Sequence, residues 1–119
     1  MRKMFSKTPV ELLVKDASNI YNKCQSLLEL VQSRRYDQNL VILTTAEVYA
    51  IAEKLYLRCD TFTELQTDEI SNYINAFDDF YFQLKQILFH DKDDYELLAS
   101  HLERMNQCFE KLYKLYDLF

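Results

Sequence analysis

The chain has 119 residues, no glycine, a single proline (Pro9) and a net charge of −5. With 49% hydrophobic and 28% charged residues it is neither disordered nor collagen-like, and the acidic balance disfavours nucleic acid, which rewards basic surfaces. The missing glycine removes the backbone conformations on which phosphate cradles and nucleophile elbows depend.

The length fits one domain, residues 1–119, with ample chain for a packed core. Charge is uneven: Lys and Arg outnumber Asp and Glu seven to three in residues 1–35 and trail them seven to sixteen thereafter. The basic start, Met1-Arg2-Lys3-Met4-Phe5-Ser6-Lys7, is followed by no apolar signal core, and no apolar run approaches the ~20 residues of a membrane span. Cys24, Cys59 and Cys108 are odd in number and widely spread, the usage of reduced thiols in a cytoplasmic protein.

The first predicted helix announces its start. Thr8-Pro9-Val10-Glu11 offers Thr at the N-cap, Pro at the first helical position and Glu three residues past the cap. Val10, Leu13, Ala17, Ile20, Cys24, Leu27 and Val31 then alternate by three and four, a seven-residue repeat that keeps one face turned to one neighbour. Arg34 and Arg35 are expected to complement the dipole at its C-terminus.

Asp37 caps a second helix, roughly 38–59, with Val41, Val48, Ile51, Leu55 and Cys59 inward and Tyr49, Ala52 and Tyr56 widening that face. Capping residues cluster over Asp60–Glu64, where a break or short extra turn is expected. Thr67-Asp68-Glu69 opens a third helix, acidic in its first turn, with Ile70, Ile74, Phe77, Tyr81, Leu84 and Leu88 as its stripe and Tyr73, Phe80 and Ile87 beside it. The segment His90–Asp94 reads as the last connection. A fourth helix, roughly 94–117, carries Tyr95, Leu98, Leu102, Met105, Phe109, Leu112, Tyr116 and Phe119 inward. Short connections between helices of matched length favour antiparallel neighbours, so the predicted fold is an all-α, single antiparallel four-helix bundle, up-down-up-down.

Catalytic, cofactor and metal chemistry finds little to rest on. Neither His90 nor His101 has the Glu three residues earlier that di-iron bundles use, and the cysteines lack zinc spacing. No arginine stands at the distance before a histidine that helical ribonucleases use. Asp91, Asp93 and Asp94 lack the glycine and distal glutamate of a calcium loop. They and Asp78-Asp79 read as solvated or helix-capping carboxylates. The expected protein is therefore not an enzyme and holds no cofactor or metal, with a small helical enzyme the least favoured reading.

Nine Tyr and eight Phe exceed what one narrow core seam requires. Val14, Tyr21 and Leu28 form a second line on helix 1, and Phe82 and Phe89 do the same on helix 3. A wide core stripe accounts for some of this surplus. The functional reading is an apolar groove for a partner helix, with Tyr49, Tyr56, Phe82, Phe89 and Tyr113 as its anchors, or a contact between two copies of the chain.

The order of these features resembles the flagellin export chaperones of bacteria, the FliS family, over about residues 8–115. In that family the first helix opens Thr-Pro-x-Glu/Lys-Leu, as do Thr8-Pro9-Val10-Glu11-Leu12 here. Phe77-Asp78-Asp79-Phe80, Leu84 and Asp91-Lys92-Asp93-Asp94 follow the order of its third helix and last connection. The chain departs from the pattern at Asp16, where the family has an apolar residue, and at Asn19, where it has glycine. The usual late tryptophan is replaced by Phe109 or Tyr113, and only seven residues precede Thr8. The resemblance implies a cytoplasmic protein of flagellum biogenesis and protein export that holds a flagellin-like or other secreted helix in apolar surface grooves. A homodimeric structural or regulatory adaptor, for example from a phage or mobile element, is the alternative.

Overall fold

The computed structural model describes residues 8–33, 36–90 and 92–116, in which the chain forms four long helices and one short turn. α1 spans Pro9–Gln32, α2 Gln38–Thr61, α3 Asp68–His90 and α4 Tyr95–Leu115, with a three-residue 3-10 turn at Thr63–Leu65 between α2 and α3. The all-α four-helix fold read from the periodicity is the one observed. Met1–Lys7, Arg34, Arg35, Asp91 and Phe119 lie outside the described residues, and with them the expected dipole contact of the two arginines.

Each helix begins on a polar side chain that satisfies otherwise unpaired N–H groups. Thr8 accepts from the Glu11 backbone N–H at 3.1 Å and its hydroxyl donates to the Glu11 carboxylate at 3.0 Å. Asp37 accepts from Asn39 and Leu40, Thr67 from Ile70, and Asp94 from Leu97. The cap residues Thr8, Ser33, Asp37, Phe62, Asp94 and Tyr116 all keep negative φ, which is how a glycine-free chain turns these corners. His90, expected in the last connection, is instead the final residue of α3, where a basic ring suits the dipole.

Cross-helix contacts fix the directions. Asp16–Arg58 and Lys23–Glu47 join α1 to α2 in opposing order, Tyr49–Tyr81 and Tyr56–Asp78 join α2 to α3, and Tyr73–Phe109 and Asp79–Arg104 join α3 to α4. Consecutive helices are therefore antiparallel. The α1–α2, α3–α4 and α1–α4 pairs pack closely, whereas α2 and α3 meet mainly through side chains. The molecule measures 52 × 25 × 25 Å.

The predicted stripes fill the interior. Leu13, Ala17, Ile20, Cys24, Leu27 and Val31 of α1 are buried, as are Leu98, Leu102, Met105 and Leu112 of α4. Tyr73 and Phe80, read as flanking, are among the largest fully buried side chains, each contributing about 1.5–3 kcal/mol of hydrophobic stabilisation. The Tyr73 hydroxyl crosses the core diagonally and donates to the Ala17 carbonyl of α1. Leu65 of the 3-10 turn is fully buried and plugs the end of the bundle between α2 and α3. Val14 is buried, and Tyr21 and Leu28 pack against the core, so the second line on α1 belongs to a wide stripe.

Polar groups brace this frame. Asp16, the charge among the apolar positions of α1, is buried and accepts a hydrogen bond from Arg58 of α2. Asp78 and Asp79, read as solvated or capping, tie α3 to both neighbours: Asp78 accepts from Tyr56 of α2 at 2.7 Å, and Asp79 from Arg104 of α4 at 2.7 Å.

Candidate partner-binding surface

α2 is the least amphipathic of the four helices, because its apolar residues do not stop at the core. Val41, Val48, Ala52, Leu55 and Cys59 face inward and are buried. Leu43, Ala46, Ala50 and Leu57 repeat by three, four and seven on the opposite side, and all four are exposed. Leu43 is 61% and Leu57 67% exposed. A side chain on such an outward line has no neighbour within the bundle to pack against.

α3 adds to the same side. Phe82 (58% exposed) and Phe89 (64% exposed) sit two turns apart on its outer line. Between the helices a cavity of about 200 Å³ is lined by Ile42, Thr45 and Ala46 of α2 and by Tyr81, Lys85, Leu88 and Phe89 of α3. Tyr81 of this lining belongs to an aromatic column: Tyr49 stacks on Tyr81 at 5.5 Å and Tyr81 on Phe77 at 5.8 Å, and the Lys85 ammonium lies 4.8 Å from the Tyr81 ring centroid. The half-buried lysine thus extends along an apolar wall and keeps its charge at the rim.

The five anchors named from the sequence are not all brought together. Tyr49, Phe82 and Phe89 lie on the α2–α3 face. Tyr56 stands at its end, half-buried, its hydroxyl held by Asp78. Burial and then the Asp78 carboxylate push its pKa up, so this ring is built into the α2–α3 contact more than it is offered to a partner. Tyr49 is more accessible, and the Glu53 carboxylate raises its hydroxyl pKa. Tyr113 lies on α4, tilted against Phe109 at 6.0 Å, beside a separate cavity of about 220 Å³ bounded by Phe109, Glu110 and Lys114. Ile42, Leu43 and Leu57 were missed by the sequence reading. The repeat that reveals Leu43 and Leu57 is visible in the sequence but is masked by the stronger inward repeat of the same helix.

A cavity of about 310 Å³ lies between α3 and α4, lined by the side chains of Glu69, Asn72, Asn75, Arg104, Cys108 and Lys111. Its guanidinium is already engaged by Asp79. Among the described residues no group of three or more His, Cys, Asp or Glu side chains is placed to hold a metal ion, and no helix is long and apolar enough to cross a membrane.

Fold and surface define an all-α four-helix bundle with an apolar, aromatic outer face on α2 and α3. The chain matches no family model, and neither the curated proteins nor the solved structures contain a match to it.

Proposed function

We propose that this chain is a non-enzymatic protein-binding bundle that seats amphipathic helices on its α2–α3 face. One observation carries the reading: Ile42, Leu43, Tyr49, Leu57, Phe82 and Phe89 are each at least 45% exposed on two adjacent helices, although the core is filled without them. Burying a large apolar side chain contributes about 1.5–3 kcal/mol. Three or four such anchors offset the cost of association and reach affinities of about micromolar. In the finer form suggested by the resemblance to flagellin export chaperones, the seated helix belongs to a secreted or assembling protein kept unassembled in the cytoplasm.

The test uses a synthetic amphipathic helix with leucines at the a and d positions of its heptads and a fluorescent label. The wild-type chain should raise its anisotropy saturably, and Phe82→Ser/Phe89→Ser should abolish that rise while leaving the helical signal and the cooperative melt in place. A collapse of the melt would place these residues in the core. An unchanged affinity would place the helix-binding surface elsewhere.

A further inference from the structure

The α2–α3 face is self-complementary about a single level of the bundle. On α2 the large residues of the outward line, Leu43 and Leu57, lie equally far on either side of Ala50. On α3 the exposed carboxylate Asp78 and the ammonium of Lys85 lie equally far on either side of the 81–82 position, with Phe82 between them. These two centres coincide in height. The Tyr49–Tyr81 stack and the Tyr56–Asp78 hydrogen bond bracket the antiparallel register of α2 and α3, and the register midway between them sets Ala50 and Phe82 at one level across the face.

Resting on the helix-seating face proposed above, we infer that its occupant, when no client is bound, is a second copy of this chain, docked about a two-fold axis that crosses both helices at the level of Ala50 and Phe82. A two-fold perpendicular to the helices and lying in the interface makes each helix antiparallel to its counterpart and sets same-side residues against each other. Leu43 then meets Leu57 of the second copy, and Ala50, having only a methyl group, permits close approach on the axis. Phe82 meets Phe82, and Asp78 meets Lys85, twice. On the α1 side of the α2 line, Glu47 falls opposite Lys54, again twice. No other register pairs the leucines and both sets of opposite charges together.

The size is sufficient. A helix of 24 residues is about 36 Å long, and two side by side are about 20 Å wide. The face is therefore about 700 Å² per copy, close to the ~800 Å² per partner of a standard stable interface.

Sedimentation of the wild-type chain from micromolar to sub-millimolar concentration should show a reversible dimer. In a Cys108→Ser background, Ala50→Cys should form an interchain disulfide under a mild oxidant, because an axial residue meets itself within disulfide reach. Leu57→Glu, at an exposed position, should weaken the dimer by about tenfold or more without loss of helical signal. Lys54→Glu should weaken it, and adding Glu47→Lys should restore it. A monomer at every concentration that still binds the synthetic helix would overturn this inference and leave the helix-seating face standing. A monomer that binds no helix would remove both. A dimer indifferent to Leu57→Glu and not cross-linked through Ala50→Cys would use another surface and would equally overturn it.

Discussion

Asp16 of α1 and Arg58 of α2 form an ion pair whose side chains are only 11% and 19% exposed. Desolvating two charges costs several kcal/mol, and their attraction offsets this only while both are present. The pair therefore acts as a register key between α1 and α2, because any slip of one helix leaves a carboxylate and a guanidinium buried alone.

Removing one member should be far worse than removing both. Asp16→Ala is expected to destabilise the bundle by about 3 kcal/mol, and Asp16→Leu combined with Arg58→Met should recover most of that loss. Urea unfolding of the two variants checks the contrast. Equal costs for the single and double variants would mean that the pair is solvated and contributes little.

Alkaline pH should unfold the protein earlier than the mean tyrosine would suggest. Burial raises the Tyr73 hydroxyl and the Cys24 thiol above their ordinary values, so the folded state holds these protons more tightly than the unfolded chain. The stability they contribute is complete below about pH 8, where both groups are protonated in either state. It falls by about 1.4 kcal/mol per pH unit for each group once pH exceeds the unfolded-state value, and is fully lost as pH rises through the folded-state value. Tyr73→Phe should cost about 1 kcal/mol at neutral pH through the lost hydrogen bond to Ala17. It should also flatten the decline above about pH 10, which denaturant titrations over that range would measure.

The core and the outer face should respond oppositely to aromatic truncation. Phe80→Ala is expected to cost about 3–5 kcal/mol, since Phe80 is 1% exposed. Phe89→Ser should stay within about 0.5 kcal/mol in dilute solution, where self-association does not contribute. Thermal melts of the two variants decide this, and a large loss in the second would assign Phe89 to the fold.

The three thiols should separate kinetically. Cys108 is half-exposed beside the α3–α4 cavity, whereas Cys24 and Cys59 are buried with raised pKa values. A disulfide reagent should therefore label one thiol quickly in the native protein, and Cys108→Ser should abolish that fast phase. Cys24 should react only at the rate of global unfolding.

The four helices and their buried lines were legible because three-four spacing and capping residues are local signals. Thr8 and Asp37 cap as read, Thr67 and Asp94 cap where the third and fourth helices were expected to open, and the α1 line is buried along its length apart from the half-buried Val10. What spacing could not reveal are relations between distant positions. Asp16 reads as an anomaly until Arg58, 42 residues away, is seen beside it. Tyr56 has the same composition and periodicity as Tyr49, yet Asp78 draws only Tyr56 into an interhelical bond. Leu65 stands among turn residues with no periodic neighbours, so nothing local marks it as a core plug. On the candidate face, Tyr49, Phe82 and Phe89 were readable as surplus, while Leu43 and Leu57 required knowing which of the two apolar lines on α2 the core had already taken.

The loose approach of α2 and α3 gives the bundle one soft direction. Widening that edge parts the Tyr49–Tyr81 stack and breaks the Tyr56–Asp78 hydrogen bond, yet it disturbs no hydrogen bond within a helix. The hairpins α1–α2 and α3–α4 share a closely packed α1–α4 seam, and on the opposite side they are joined by these side chains and by the diagonal Tyr73–Ala17 hydrogen bond. Under the helix-seating role proposed above, a face with so loose a seam would sort its helices by the spacing of their large side chains more than by their individual shapes.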